Sequence, residues 1–317
     1  MRSTCLFLVA LTISLIMWGG SNAAHAEDMS SGGERLLGGH SFMYSRHVRD
    51  PFVSTEFTNH VGAASALSFE RDFHDIDGDL LFTLKGDMVF ASLGMGYQQH
   101  LGEKWAVGTS ASGLVRSGTN ALAFINDGAN ANTNIDLWVK RRLRRSKESQ
   151  LTAGISWGYV STTIFTPREF AAHLIDGGSL ATAPFVRTGK SWEAQADLMW
   201  AYAFNPTFGL RAHGAAGVVE QDGGGSVLLG NHRIGLLGEV DFKQKYDVPF
   251  GLTLGHFVGF PSDRIESGLS GTELGFWYTG RQEFIIGLET GWLRIPSDDT
   301  GETINGTFGV IDIKYYF

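Results

Sequence analysis

The sequence predicts an all-β protein, a transmembrane antiparallel up-and-down β-barrel of about 12 strands with one short helix in an extracellular loop. Three observations predict this fold. Apolar and polar residues alternate in segment after segment, the segments are longer than ordinary soluble strands, and the gaps between them alternate between short and long. Glycine is abundant, with 42 residues, and proline is scarce, with seven. This composition favours strands over helices.

Twelve segments with a period of two residues are predicted as strands. Most contain about 12 to 16 residues, against about five or six in soluble proteins. At about 3.3 Å per residue and a tilt of about 40°, roughly fourteen residues rise about 35 Å, which is enough to cross an apolar band of about 25 Å. The predicted strands are 52–67, 86–100, 104–118, 132–145, 149–163, 191–205, 207–220, 230–245, 248–260, 269–280, 283–295 and 304–317.

Short turns alternate with longer loops along the predicted barrel. The short turns have the sequences LGEK, RSKE, NP, YDVP and GRQ. A barrel with both termini in the periplasm shows this rhythm, because its periplasmic turns are tight, its outer loops are longer and its strand number is even. The longer loops are predicted at 68–85, 119–131, 164–190, 221–229, 261–268 and 296–303.

The two faces of the predicted strands differ in polarity. In strand 191–205, Trp192, Leu198 and Trp200 share one face, whereas Glu193 and Asp197 lie on the other. Lipid would solvate the first face, and water or ion pairs the second. Aromatic residues also gather where strands meet short turns, which predicts an aromatic girdle at the inner membrane–water interface. These residues are Tyr97, Trp105, Phe204, Phe208, Tyr246, Phe250, Tyr278, Phe284, Tyr315 and Phe317.

Residues 1–26 are predicted to form a secretory signal peptide. Arg2, the apolar run of residues 5–18 and the sequence Ala24-His25-Ala26 supply its three parts. Its removal takes away Cys5, the one cysteine of the chain, so the exported protein has no disulfide and no thiolate ligand. The remaining 24 basic and 33 acidic residues argue against nucleic acid as a partner.

The chain ends in GTFGVIDIKYYF, in which Ile311, Ile313, Tyr315 and Phe317 share one face of the last strand. This ending resembles the closing strand of bacterial outer-membrane β-barrel proteins, which typically end in an aromatic residue after alternating apolar positions. In that class the barrel assembly machinery reads the last strand during insertion. The resemblance therefore implies an assembly signal in these four residues, and a location in the outer membrane of a Gram-negative bacterium among membrane lipid and lipopolysaccharide.

Charged and polar residues on the opposite strand faces are predicted to line the lumen. They form either a network of ion pairs that fills the barrel or a charged pore wall that selects solutes. Size does not decide, because about eight strands give a filled interior and about sixteen a water channel. Acidic residues outnumber basic ones in this set, which favours cations if the path is open. The predicted pore-lining residues are Glu56, Asp136, Lys140, Arg142, Glu193, Asp197, Arg211, His213, Arg233, Glu239, Asp241, Glu273, Glu289, Asp312 and Lys314.

The sequence predicts no catalytic residue, no metal site and no cofactor. It contains no nucleophile elbow, no paired-histidine metal motif and no phosphate-binding loop. One residue leaves a question open. Alternation points His256 toward lipid, near Thr272 or Ser270 on the next strand, and an imidazole in lipid costs free energy. A register slip beside Gly255 or an interfacial position is the preferred explanation.

Two segments outside the strands have open roles. The sequence TPREFAAHLIDGG predicts a helix, with Thr166 as N-cap, Pro167 in the first turn and Gly177 beyond the end. It is interpreted as a cap on its loop, with a lid or an inward constriction as alternatives. Residues 27–50 are predicted to form a periplasmic arm or a plug in the lumen, and residues 51–317 the barrel.

These features predict a non-enzymatic outer-membrane barrel, a narrow pore or binding channel for small polar solutes. Two alternatives remain at this point. One is an outer-membrane lipid-modifying enzyme, and the other is a structural or adhesive surface protein with a closed lumen.

Overall fold

The computed structural model describes residues 35–74, 80–119, 128–165, 167–175, 177, 179, 186–221, 227–261, 268–296 and 303–317. The predicted signal peptide and the first part of the predicted 27–50 segment lie outside these residues.

Twelve long strands form the barrel wall, and a pair of two-residue strands precedes them. The pair consists of β1 (Leu36–Leu37) and β2 (His40–Ser41). The wall strands are β3 (Glu56–His74), β4 (Leu80–Leu101), β5 (Trp105–Gly118), β6 (Ala129–Arg145), β7 (Ser149–Phe165), β8 (Val186–Ala203), β9 (Phe208–Gln221), β10 (Val227–Asp241), β11 (Phe250–Pro261), β12 (Leu269–Tyr278), β13 (Phe284–Pro296) and β14 (Thr303–Tyr316).

The wall strands form a closed barrel. Each one pairs antiparallel with the next in sequence, and β14 pairs with β3. Closure leaves no strand edge whose N–H and C=O groups lack partners, which is what a hydrocarbon environment requires. The predicted twelve-stranded antiparallel barrel is therefore confirmed.

The first hairpin differs from the prediction at both ends. The strand predicted at 52–67 begins only at Glu56, and the predicted loop 68–85 is largely strand, because β3 and β4 pair as far as His74 and Leu80. The hairpin contains two register shifts. Such irregularities accommodate extra residues in a paired strand, which explains why the broken alternation there predicted a loop.

Apolar side chains cover the outside of the barrel. Ile155, Leu198 and Leu254 are 69%, 52% and 61% exposed, and Leu137 and Ile313 are half-buried among their neighbours rather than packed in a core. A continuous exposed apolar surface of this kind is rare on soluble monomers and marks contact with a membrane or a partner.

Aromatic side chains concentrate at the end of the barrel that carries the short turns. Phe204 and Phe317 are exposed there. Phe250 stacks on Phe276, with ring centroids 5.1 Å apart, and Phe284 contacts Tyr315 at 5.0 Å. Their position agrees with an aromatic girdle at one membrane–water interface.

Among the described residues, two short helices lie outside the wall, α1 (Pro167–Ile175) and α2 (Lys243–Tyr246). The helix α1 begins at Pro167 as predicted, and it ends before Gly177, whose φ is +81° and whose N–H donates to the Leu174 carbonyl. The predicted N-cap Thr166 lies outside the described residues. The predicted loop 164–190 is shorter than expected, since β8 begins at Val186. None of the helices in the described ranges is long and apolar enough to cross a membrane.

Candidate functional site: the lumen and the N-terminal segment

Residues 35–55, called the N-terminal segment here, lie inside the barrel. The segment bonds to side chains on strands all around the wall, including Gln98 on β4, Gln150 on β7, Asp197 on β8 and Glu273 on β12. Only a chain within the closed cylinder can reach inward-facing residues on all of these strands. The segment therefore occupies part of the lumen.

The first part of the N-terminal segment lies against the short turns. Gly38 donates its N–H to the Lys147 carbonyl at 2.6 Å, in the turn between β6 and β7. The guanidinium of Arg35 donates to the carbonyls of Arg281 and Gln282, in the turn between β12 and β13, and lies 4.8 Å from the centre of the Tyr316 ring. These contacts place the start of the segment at the end of the barrel that is predicted to face the periplasm.

A cluster of four charged groups holds the end of the segment where the chain enters β3. The carboxylate of Asp50 accepts hydrogen bonds from Lys140 at 3.1 Å and from Lys314 at 3.0 Å, and Lys314 also pairs with Glu56 at 2.8 Å. Burial alone would raise the pKa of Asp50, but the two ammonium groups lower it well below its ordinary value. Removal of Asp50 would leave two buried cations without this partner, which is costly in a low-dielectric interior.

A second cluster joins the middle of the segment to β12. Ser45 donates its hydroxyl hydrogen to one Glu273 oxygen at 2.5 Å, and Nδ1 of His47 lies 2.6 Å from the other. The Ser45 hydroxyl also accepts the N–H groups of His47 and Val48, which closes a tight turn. Burial lowers the pKa of His47, but the carboxylates of Glu273 and Glu289 beside it raise that pKa above its ordinary value.

Two further carboxylates hold the segment at other points on the wall. Arg49 donates to Asp197 at 3.0 Å, and His213 contacts the other oxygen of Asp197 at 3.0 Å. The backbone N–H of Met43 donates to Glu239 at 2.6 Å, and the same carboxylate pairs with Arg211. Wall charges and segment charges therefore form one network.

Glycines on the inner wall make room for segment side chains. A Cβ on Gly235 would lie 2.9 Å from the Val48 methyl carbon, and a Cβ on Gly251 would overlap the Met43 thioether. Val48 is fully buried, and Met43 nearly so. Overpacking at such contacts typically costs about 1–3 kcal/mol, so these two glycines are needed for the segment to sit where it does.

All fifteen predicted pore-lining residues lie on inward-facing positions. Whether they line a pore stays a prediction, because most of them contact one another or the N-terminal segment. Four are half-buried: Asp136, Arg142, Glu193 and Arg233. Eleven are buried: Glu56, Lys140, Asp197, Arg211, His213, Glu239, Asp241, Glu273, Glu289, Asp312 and Lys314.

A cavity of about 320 Å³ remains between the N-terminal segment and the wall formed by β3 to β8, together with Arg233 of β10 and Lys314 of β14. The segment contributes Tyr44 to Arg46, Arg49 and Asp50 to its lining, and the wall contributes polar side chains such as Ser110 and Asp136. The volume is in the range of small-molecule sites, about 300–1,000 Å³. The cavity is therefore a candidate binding site for a small polar molecule.

Two guanidinium groups give the cavity an excess of available positive charge. Arg46 contacts Nε2 of His60 at 3.2 Å, and no carboxylate pairs with it within the described part of the chain. Arg233 likewise has no hydrogen bond or ion pair to any described residue, although it lines the cavity. In contrast, Asp50 and Asp197 are both paired with cations. The excess of acids in the sequence thus does not translate into an acidic cavity.

The side chain of His256 faces outward and contacts Thr272, one of the two neighbours that the sequence predicts for it. Its Nδ1 lies 3.0 Å from the Thr272 hydroxyl on β12, and both side chains face outward. No carboxylate among the described residues contacts His256, so this pair lacks the group that would orient and activate a catalytic imidazole.

The sequence does not single out the candidate functional residues of the N-terminal segment. It predicts His47, Arg49 and Asp50 only as part of an arm or plug, because nothing local marks their partners. One signal was available: the sequence HSFMYSRHVRDP mixes four charged or titratable residue types with apolar ones without a strand or helix period. Such a segment needs partners elsewhere in the chain if it is buried.

Comparison with known proteins identifies the fold and no closer relative. No protein-family model matches the chain, and no curated protein matches it. Solved structures do match, at low identity. The translocator domain of the autotransporter NalP from Neisseria meningitidis has a TM-score of 0.50 and 10% identity, over 83% of this chain and 88% of that one.

Two further solved structures match the chain at similarly low identity. The transport unit of the autotransporter AIDA-I from Escherichia coli has a TM-score of 0.46 and 13% identity, over 91% of this chain and 98% of that one. The toluene transporter TodX from Pseudomonas putida has a TM-score of 0.43 and 10% identity, over 92% and 98%. With its closed twelve-stranded wall, the chain has the fold of bacterial outer-membrane β-barrel proteins.

Proposed function

We propose that this protein is an outer-membrane channel that binds small polar solutes in its lumen, with the N-terminal segment as its plug. The observation that carries the proposal is the cavity of about 320 Å³ between the segment and the wall. It lies inside a closed barrel, and polar and charged side chains dominate its lining. A barrel that needed only rigidity would fill this space with side chains.

The available charges indicate the class of solute. Arg46 and Arg233 offer guanidinium groups at the cavity, and guanidinium binds carboxylate and phosphate groups through paired hydrogen bonds. Ser110, Asn134 and Asp136 supply hydroxyl, amide and carboxylate groups beside them. We therefore propose small solutes that carry an acidic group together with further hydrogen-bonding groups.

Passage through the lumen requires the plug to move. Twelve strands enclose a lumen between the filled interior of about eight strands and the open channel of about sixteen, and the N-terminal segment occupies part of it. Besides the apolar contacts of Leu37, Phe42 and Met43, hydrogen bonds and ion pairs attach the segment to the wall, and water can replace these polar contacts when the segment shifts. The segment is therefore suited to act as a gate.

A reversible lock on the plug tests this proposal. The Val48 methyl carbon lies 2.9 Å from the position of a Cβ on Gly235, so cysteines in a Val48→Cys/Gly235→Cys variant are placed for a disulfide. We expect wild type to show current steps in planar bilayers, the oxidised variant to show none, and reduction to restore them. Val48→Cys alone is the matched control, and its currents should not depend on the oxidant.

Two results would contradict the proposal in different ways. Steps of wild-type size in the oxidised variant, with the disulfide verified by mass, would show that conduction does not need the plug to move. Absence of steps in wild type, and also after deletion of residues 35–50, would exclude a pore.

A closed-lumen structural protein is the second candidate. The observation that favours it is the density of ion pairs between the segment and the wall, at Asp50, Arg49 and His47. The deletion experiment separates the two candidates, because a structural barrel would stay closed or fail to assemble, whereas a plugged channel would open.

A further inference from the structure

We propose that His47, Glu273 and Glu289 form a binding site for a divalent transition-metal cation, which would tie the plug to the barrel wall. The inference goes beyond the proposed channel function, since metal binding requires neither a solute nor conduction.

The three side chains bring one ligand atom each to a common point. His47 comes from the N-terminal segment, Glu273 from β12 and Glu289 from β13, and their ligand atoms all lie within 4.8 Å of one another. Nδ1 of His47 is 2.6 Å from Glu273 and 3.6 Å from Glu289. Tetrahedral ligands at about 2.0–2.1 Å from Zn²⁺ are separated by about 3.3 Å. Small side-chain shifts would therefore bring the three ligand atoms to the separations that a tetrahedral metal site requires.

Strand register explains why the carboxylates meet. Glu273 pairs with Gly291 and Glu289 pairs with Gly275, so the two acids are diagonal neighbours on the inner face. A Cβ on Gly255 would lie 2.8 Å from a Glu273 oxygen, so that glycine leaves space for the carboxylate. The wall is shaped to hold these acids close together despite their repulsion.

Unpartnered buried oxygens provide the independent evidence for a ligand. Both carboxylate oxygens of Glu289 lack a hydrogen-bond partner among the described residues, and the residue is fully buried. Asp312, diagonal to Glu289 across β13 and β14, is also fully buried with both oxygens unpartnered. Buried carboxylates without partners are strongly unfavourable. A bound dication would supply the missing positive charge at the Glu289 oxygens.

The imidazole of His47 is held in place for coordination. Its ring stacks on Phe257 with centroids 4.0 Å apart, and Phe308 contacts it at 5.6 Å. Ser45 fixes the chain turn that presents the ring and also orients Glu273. Hydrogen-bonding groups that orient the ligands typically strengthen metal affinity.

The donor set indicates the class of metal. One imidazole nitrogen with two carboxylates suits Zn²⁺ and other first-row transition cations, whereas Ca²⁺ and Mg²⁺ prefer oxygen ligands alone. The His47 side chain is 27% exposed to the lumen, which gives the ion a route of entry. Metal bound there would connect the segment to two wall strands.

Equilibrium binding of Zn²⁺ to the full-length mature protein tests the site. Protein in detergent, stripped with a chelator, is titrated with Zn²⁺ by calorimetry. We expect one ion per chain, and affinity at least about 10-fold weaker in His47→Gln and Glu289→Gln. Glu193→Gln is the matched control, because it removes a half-buried lumen carboxylate outside both the cluster and the cavity and should bind Zn²⁺ as wild type. A heat-dependent shift in electrophoretic mobility reports that each variant is folded.

X-ray absorption of the Zn²⁺-loaded wild type keeps the test valid if a variant fails to fold. We expect nitrogen and oxygen neighbours at about 2.0–2.1 Å, with scattering from one imidazole. Lack of saturable binding at one ion per chain, wild-type affinity in both folded ligand variants, or a spectrum without imidazole scattering would each overturn the proposal. None of these results depends on conduction, so the channel proposal can fail separately.

Discussion

The two sides of the lumen wall meet the N-terminal segment in different ways. On the side formed by β10 to β13, called the closed side, segment side chains pack directly against the wall. Val48 lies over Gly235, Met43 lies over Gly251, and His47 contacts a wall carboxylate. Glycine pockets and acidic groups on this side match the shape and charge of the segment.

The side formed by β4 to β6, called the open side, borders the cavity instead. Its inner face carries short polar side chains that line the cavity, such as Ser110, Ser112 and Asn134. Both sides have the same alternation of inward and outward residues. Alternation therefore decides only which residues face inward, whereas side-chain size and charge decide whether the wall is sealed against the segment or leaves space.

The largest effect is expected at Asp50, which connects the segment to Lys140 on β6 and Lys314 on β14. Asp50→Asn leaves both buried ammonium groups without this anion, and breaking such a pair typically costs about 3–5 kcal/mol. We expect a cysteine placed at buried position 48 to react with a maleimide about 100-fold faster or more in the Asp50→Asn background.

The exposed turn residue Glu103 supplies the control for this measurement. Glu103→Gln removes a carboxylate outside the lumen and should leave the labelling rate unchanged. An unchanged rate in Asp50→Asn would mean that the closed side alone holds the segment.

A pair of glycines on β10 tests the fit on the closed side. Gly235→Ala places a methyl group against the stiff side chain of Val48, whereas the nearest atom to a Cβ on Gly238 is 3.9 Å away. We expect Gly235→Ala to lower the free energy of unfolding in urea by about 1–3 kcal/mol and Gly238→Ala to change it much less. Equal effects would show that the contact with the segment is not what makes position 235 sensitive.

Arg233→Gln tests the solute preference of the cavity, which Arg233 borders from β10 on the closed side. The guanidinium lines the cavity, and loss of a charge-assisted hydrogen bond weakens binding by about 10-fold. We expect this loss for succinate, measured by calorimetry, with stability unchanged. His232→Gln on the adjacent, outward-facing position is the control. Wild-type affinity in Arg233→Gln would remove the proposed preference for acidic solutes.

The smallest expected effect is a change in how folding stability depends on pH, and it involves His47. Because its pKa is raised in the folded protein, its contribution to stability is complete below the ordinary value of 6.5 and is lost as pH rises through the folded value. The pKa of Asp50 is lowered, so its contribution is constant at neutral and alkaline pH and is lost only in acid.

We therefore expect the urea midpoint, measured with chelator present, to fall between pH 6 and pH 9 more in wild type than in His47→Gln. If both proteins show the same fall, the His47 contact does not contribute to the pH dependence of stability.

Much of the wall follows from local sequence. The predicted strand at 304–317 is β14 with boundaries within one residue, because alternation there is unbroken. The strand boundaries of the first hairpin are less predictable, because its register shifts interrupt the alternation of inward and outward residues. At the candidate site, the wall acids Glu273 and Glu289 were assigned to the lumen from alternation alone, but their contact with His47 was not foreseen.

A closed barrel with an apolar exterior follows from the sequence alone, because a period of two residues is a local property that each strand carries independently. The use of the interior depends on contacts between distant parts of the folded chain. Ser45 and Glu273 are 228 positions apart, and Asp50 and Lys314 are 264 positions apart, so no local pattern links them. Their pairing depends on where a short irregular segment comes to rest inside a wall that has already closed, and this placement separates the sealed side of the lumen from the cavity.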